Sequence, residues 1–461
     1  MQKNWPKHPL TLSAIVFPFV LVLALSMGGF TDDPMHSVWG RDTPVFDILT
    51  LRAGPFPIRL LLWKFAVWVR PERPFDVMHI FPAVAHALNV GLVLALLRQF
   101  CTPRGALLWA LFFLVYRPAN EGVLWASTQP DVICTTFSLL ALLAWRRGVE
   151  DSRWRLVALG LILVATATKL SAVVLPFLLM AHVLWMEEQT TVRERIRCAA
   201  PLLAPLALIL VGYALWMAAH RGLWQTAYEP ETFAVWKFLR IGENIARGLL
   251  LIRPINMVKS DAFGFLVLLV TVAAIWRSRG LVRFGLLWMV GFVGISAFSS
   301  GYIAGRYLYS ASVGLILACS QLAVWADANA VRRRIAICGA SLWMLVSLYC
   351  YQRDVRYFSC WGDVYREASA LVRDHREDVR RAGRLAVARD FSPVNLWSAW
   401  LVRYEVGEGI ETELQLPACP SDGRPCLSYG EIAEETVTAA GSLPVSGCEG
   451  HVTYRPPTLP R

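Results

Sequence analysis

Charge is scarce in this chain. Only 17% of its 461 residues are Asp, Glu, Lys or Arg, and 34 acids face 45 bases. Soluble domains carry roughly a quarter of their residues as charges. With 56% hydrophobic residues and a mean hydropathy of +0.46, a soluble globular fold is excluded, and a polytopic membrane protein is the class that remains. No internal repeat or low-complexity run is visible. A transporter built from inverted halves would show such a repeat. No His, Cys, Asp and Glu cluster has a diagnostic metal spacing, so a divalent metal ion stays an open option rather than a reading.

What is present is apolar length. A spanning helix needs about 20 mostly apolar residues. Candidate spans lie at 11–30, 77–97, 105–116, 131–145, 155–168, 171–186, 199–219, 262–276, 282–299, 303–325 and 335–351, about eleven in all. Bases set the orientation. If Lys3 and Lys7 are cytoplasmic, the alternate loops on that side hold Arg98 and Arg104, then Arg146, Arg147, Arg153 and Arg155. Arg193, Arg195 and Arg197 follow, then Arg277, Arg279 and Arg283, then Arg332, Arg333 and Arg334. Every inner loop is short and basic, which suits anionic headgroups and explains the net charge of +11 without nucleic acid. Loops 31–76, 117–130, 220–261 and 300–305 and the tail beyond about 353 then face outward.

The expected architecture is an all-α transmembrane domain over 1–352, with a small mixed α/β extracytoplasmic domain over 353–461. Within the first outer loop, Leu60–Val69 is apolar, too short to span, and flanked by Arg59 and Arg70, so it reads as an interfacial helix. The second large loop, 220–261, also has helical patterning. Residues 361–390 read as helical, and 395–461 as short strands and turns. Cys134, Cys319, Cys338 and Cys350 lie in apolar spans, whereas Cys360, Cys419, Cys426 and Cys448 lie in or beside the tail. In an oxidising compartment Cys419 and Cys426 would close a small disulfide loop. A zinc site is the rival, but His451 is the only histidine near.

Ionisable residues at membrane edges are functional candidates. Asp32, Asp33, Glu121, Asp131, Lys169 and Arg306 all fall at the outer ends of spans. One outward cavity lined by acids and a few bases accounts for them together, although Asp131 directly precedes a span and also suits a helix cap.

The stretch Tyr116-Arg-Pro-Ala-Asn-Glu-Gly-Val-Leu-Trp-Ala-Ser-Thr-Gln-Pro-Asp131, followed by a leucine-rich span, resembles membrane glycosyltransferases of GT-C type. It is most similar to the protein O-mannosyltransferase-like group that often carries tetratricopeptide repeats. Four further blocks fall in the family's order: His79–Leu97, Thr168–Pro176, Gly305–Gly314 and Trp361–Ala368. The resemblance implies a retained first span and a polyprenyl-phosphate-linked sugar as donor. Its acceptor would be a hydroxyl on a lipid, glycan or protein, reached from the extracytoplasmic face, most simply of a bacterial inner membrane. It makes Asp32 or Asp33 the catalytic base, with the lean to Asp33. Lys169, Arg306 and, particular to this chain, Arg117 would bind the donor phosphate. Glu121 and Asp131 would serve the acceptor or a metal. The mechanism implied is a single displacement that inverts the sugar.

The chain departs from the family pattern at Arg117 and Asn120, where histidines stand, at Thr128-Gln129 for Gly-Arg, and at Leu170 for Glu. Those departures motivate the alternative of a non-enzymatic relative acting in envelope glycan assembly or export. A transporter is the third reading, and the clustering of charges on one face counts against it.

Overall fold

The computed structural model describes residues 7–27, 33–148, 150–186, 191–219, 239, 241–246, 261–299, 305–326, 329–388, 396–416, 425–429 and 452–455. The second large loop therefore lies almost wholly outside the described residues, as do Asp32 and Cys419. A described helix coincides with each expected span. Among the described residues, three helices are long and apolar enough to cross a membrane: Pro74–Leu97, Arg193–Trp216 and Ala330–Asp374. Five shorter apolar helices accompany them: Pro9–Leu25, Pro103–Leu114, Leu170–Leu184, Ala262–Arg277 and Gly280–Ile295.

Helices pack where side chains are small, since lipid gives them little hydrophobic reason to associate. Gly91 lies against Pro9 and Ser13, which brings helix Lys7–Leu25 onto Pro74–Leu97. Gly285 and Gly314 face one another where Gly280–Ser299 crosses Tyr309–Ala326. Trp288 closes that crossing by donating to the Ser310 carbonyl at 2.8 Å.

The first outer loop folds into three helices, Asp33–Asp42, Val45–Leu49 and Pro57–Val69. Pro57 opens the last of these at a position where its missing N–H is no loss. Phe65, Trp68 and Val69 are exposed on that helix, Trp68 at 78%, while Leu60, Trp63, Ala66 and Val67 are buried. Phe46 and Leu49 are likewise exposed. Such one-sided helices suit a membrane surface.

The final span does not stop at the expected boundary near 352. Helix Ala330–Asp374 runs unbroken for 45 residues. No proline interrupts it, and its sequence changes from apolar to amphipathic without a breaking residue. Helix Arg376–Ala382 follows, and Gly383 ends it in the left-handed region at φ 67°. A four-stranded sheet then forms in the order β2-β1-β3-β4, from β1 Arg384–Ala388, β2 Glu411–Leu416, β3 Cys426–Tyr429 and β4 Val452–Arg455. The β1 strand pairs in parallel with β2 and β3, and β3 pairs antiparallel with β4. Helix Leu396–Glu405 makes the crossover from β1 to β2. Strand β1 falls where the sequence pattern reads helical, and the crossover helix where it reads as strands and turns. Parallel pairing across such a crossover is a non-local choice that local pattern does not reveal.

The tail and the first outer loop share one core. Trp63, Ala66 and Phe75 of the loop side pack with Val364, Tyr365 and Ala368 of the long helix and with Leu385, Leu401 and Leu427 of the α/β unit. Glu405 is fixed to the long helix by Arg373, whose Nε and Nη2 donate to its two oxygens at 3.0 and 3.1 Å, and by the Ser369 hydroxyl. Cys360 and Cys426 are each engaged in a disulfide, as an oxidising compartment allows, while the other six described cysteines are free.

A Cβ placed on Gly314 would lie 2.6 Å from the Met289 amide nitrogen and 2.9 Å from the Trp288 Cβ. Gly314→Val is therefore expected to cost about 1–3 kcal/mol through overpacking. A lowered thermal unfolding midpoint in detergent is the measurement that checks it.

Candidate active site

The helix Asp33–Asp42 opens the site. Asp33 begins it, where a carboxylate complements the helix dipole, and its side chain is fully buried. Its Oδ1 accepts the Ser127 amide N–H at 2.8 Å and the Ser127 hydroxyl. Ser127 sits in the short 3-10 turn Ala126–Thr128, between helix Arg117–Leu124 and helix Gln129–Arg147. Thr128 stabilises that turn, its hydroxyl donating to the Trp125 carbonyl at 2.6 Å. The first outer loop and the segment 117–130 are thus joined at the candidate base.

One turn along from Asp33, His36 is also fully buried. The Arg59 guanidinium donates to its ring, and Trp63 flanks it at 5.8 Å between centroids. Burial first, then the charges of Arg59 and Arg306, hold the His36 pKa well below the usual 6.5. His36 is therefore neutral at neutral pH, and the Arg306 charge is close enough to be felt there. Tyr365, on the long helix, is also buried.

The bases converge from the other side. Lys169 leaves the end of helix Arg153–Thr168 in extended conformation, and its ammonium pairs with Asp131 in the first turn of Gln129–Arg147. It also lies 4.6 Å from the centre of the Tyr307 ring. Arg306, in the short helix Gly305–Leu308, stacks over Trp125 at 4.2 Å and reaches Tyr307. Its backbone N–H donates to Glu121 Oε2 at 2.6 Å. Asp33, Ser127, Asp131, Lys169, Tyr307, Arg306, Trp125 and Glu121 accordingly form one connected region.

Arg117 stands apart in its partnership. Its Nε and Nη2 donate to the two oxygens of Asp354 on the long helix, at 3.1 and 3.3 Å. Its guanidinium is thus already met by a carboxylate in a bidentate pair. Among the described residues there is no group of three or more His, Cys, Asp or Glu placed to hold a metal ion.

Sequence reasoning missed His36, Arg59, Ser127 and Tyr307. His36 has a signal in hindsight, standing three residues after Asp33 on one helix face. Tyr307 lies inside a block already singled out, Arg306-Tyr-Leu-Tyr309. Arg59 and Ser127 become visible only once the loops meet.

Residues 62–216 match the model of the dolichyl-phosphate-mannose-protein mannosyltransferase family. That match takes in Arg117, Glu121, Asp131 and Lys169, while Asp33 and Arg306 lie outside it. The fold is similar to the crystal structure of ArnT from Cupriavidus metallidurans bound to undecaprenyl phosphate, at 12% identity and a TM-score of 0.50. That match covers 96% of this chain and 97% of that one. Archaeal oligosaccharyltransferase AglB from Archaeoglobus fulgidus, in complex with an inhibitory peptide and a dolichol-phosphate, matches at 12% identity and a TM-score of 0.44. Coverage there is 89% of this chain and 64% of that one. No curated protein matches the sequence. The resemblance to membrane glycosyltransferases of GT-C type, drawn from the ordered blocks, therefore holds.

Because the His36 pKa is lowered on folding, the unfolded chain binds a proton that the folded chain refuses. The His36 contribution to stability is present above about pH 6.5 and is lost as pH falls below it. Unfolding midpoints measured from about pH 8 to pH 5 should drop at the acid end, and His36→Asn should flatten that part of the profile.

Proposed function

We propose that this chain is an inverting glycosyltransferase that moves a sugar from a polyprenyl-phosphate donor to an acceptor hydroxyl on the extracytoplasmic face. The observation that carries the reading is a single site in which a buried carboxylate, Asp33, shares its surroundings with two cations, Lys169 and Arg306. ArnT, whose fold this chain resembles, was solved with undecaprenyl phosphate bound, and the family that matches residues 62–216 is described by a lipid-phosphate sugar.

The chemistry follows from charge. Asp33 takes the proton of the acceptor hydroxyl as its oxygen attacks the anomeric carbon. The bond from that carbon to the phosphate oxygen breaks, and the lipid phosphate leaves with the electron pair. One displacement inverts the anomeric centre. The negative charge that builds on the phosphate needs preorganised positive charge. Asp131 holds the Lys169 ammonium, and Trp125 and Glu121 fix Arg306, so both cations are oriented before the donor arrives. Arg59 adds a third positive charge beside His36. Arg117, bound to Asp354, serves instead to fix the helix that carries Glu121. Glu121 and Asp131 are the residues a divalent ion would use. Their oxygens already accept the Arg306 amide and the Lys169 ammonium, so we assign charge neutralisation to the two bases. Asp32, next to Asp33 in sequence, stays the second candidate base.

Asp33→Asn keeps the hydrogen-bonding shape and removes the base. In membranes supplied with polyprenyl-phosphate sugar, transfer should fall about 10²- to 10⁴-fold with expression unchanged. Lys169→Gln and Arg306→Gln should each lower the rate of sugar release. Undiminished transfer by the Asp32→Asn/Asp33→Asn double variant would overturn the carboxylate-base reading.

A further inference from the structure

The helix that carries Asp33 leads from the buried carboxylate to an exposed indole. His36 and Trp39 follow Asp33 at successive steps of three residues, so each is a surface neighbour of the next. The His36 and Trp39 rings meet edge to face at 5.3 Å. Six residues of helix separate Asp33 from Trp39 by about 9 Å. Trp39 is 40% exposed, although Asp33, Pro34, His36, Ser37, Val38 and Gly40 around it are buried.

A second indole stands beside it from a distant part of the chain. Trp400, in the crossover helix of the α/β unit, meets Trp39 edge to face at 6.4 Å. The two helices are tied there by Arg41, which donates to the Tyr404 carbonyl at 2.9 Å and to Asp42 at 2.7 Å. Arg403 lies over the Trp400 ring at 5.2 Å and pairs with Glu408 and with Asp42. The setting differs from that of Trp68, whose exposed neighbours are the apolar Phe65 and Val69. The rings against Trp39 are those of His36 and Trp400, and the charged groups Arg403, Asp42 and Glu408 gather on the Trp400 side.

We propose that Trp39 and Trp400 form an acceptor subsite at the mouth of the active site, and that the acceptor is a carbohydrate chain. The proposal rests on the transferase reading above and names its acceptor class. An indole face takes the C–H face of a sugar ring, where apolar area is lost to water without stranding a hydroxyl. The ring's hydroxyls need donors and acceptors close by, and Arg403, Asp42 and Glu408 supply both. These charges are mutually paired, so the surface selects a neutral polar ligand rather than an anion.

The full chain in lipid nanodiscs is to be applied to an array of neutral oligosaccharides, with binding of undecaprenyl phosphate measured in parallel. Wild type should retain at least one oligosaccharide class. Trp39→Ala and Trp400→Ala should each weaken that binding about tenfold, as expected for loss of a stacked ring. Trp39→Phe, which keeps an aromatic face without disturbing the helix, should restore most of it. All three variants should bind undecaprenyl phosphate like wild type. The proposal is overturned if wild type retains no oligosaccharide, if it retains peptides instead, or if both alanine variants bind as well as wild type. Loss of undecaprenyl phosphate binding by wild type itself would overturn the transferase reading beneath it.

Discussion

A carboxylate with no exposed surface is the constraint around which this site is arranged. Asp33 cannot remain ionised in a dry interior unless donors replace the water it has lost. Ser127 supplies two of them, one from the backbone and one from the hydroxyl. That single residue joins a helix of the first outer loop to the turn between two helices of the bundle. The same interaction therefore supplies donors to the candidate base and ties the loop to the bundle.

The cations obey the same rule with different means. Lys169 is met by Asp131, and Arg306 is met by an aromatic face and has its backbone amide capped by Glu121. Stacking orients the plane in which a guanidinium donates to oxygen atoms. Arg117 is held differently, because Asp354 takes two of its donors. In the family pattern this position is histidine, and the change to arginine is made tolerable by an acid 237 residues away along the chain. Read in sequence alone, Arg117 looks like an added phosphate ligand, because nothing local identifies Asp354 as its partner.

What could be read from the sequence divides along the same line. The apolar runs were legible, because a spanning helix satisfies its own backbone and needs only length and apolarity. A helix at Leu60–Val69 was legible from its apolar run, and the structure extends it only to Pro57. Asp33, Glu121, Asp131, Lys169 and Arg306 stood out in sequence, since charge at a membrane edge is costly enough to need a reason, and the structure brings them into one region. The pairings were not. Ser127 with Asp33, Arg59 with His36 and Tyr307 with Lys169 each join residues distant in the chain, and uncharged serine and tyrosine carry no such warning. The parallel sheet of the tail was hidden for a related reason, as its strands are short and become neighbours only through the crossover helix.

The unbroken helix Ala330–Asp374 gives these separate facts a mechanical meaning. Along one rod it presents Ser347 and Asp354 to Arg117, Tyr365 to the core shared with the first outer loop, and Ser369 and Arg373 to Glu405 of the α/β unit. Helix Arg117–Leu124 passes that position on, since its Arg117 is held by the rod and its Glu121 holds the Arg306 amide. A break in the rod near residue 352 would leave the tail tethered by a flexible link and would uncouple Arg306 from the outer domain. Continuity instead sets the α/β unit at a fixed height above the bundle. The rod that bears on Arg306 through Arg117 and Glu121 thus also helps to place Trp400 beside Trp39, together with the direct tie from Arg41 to the Tyr404 carbonyl.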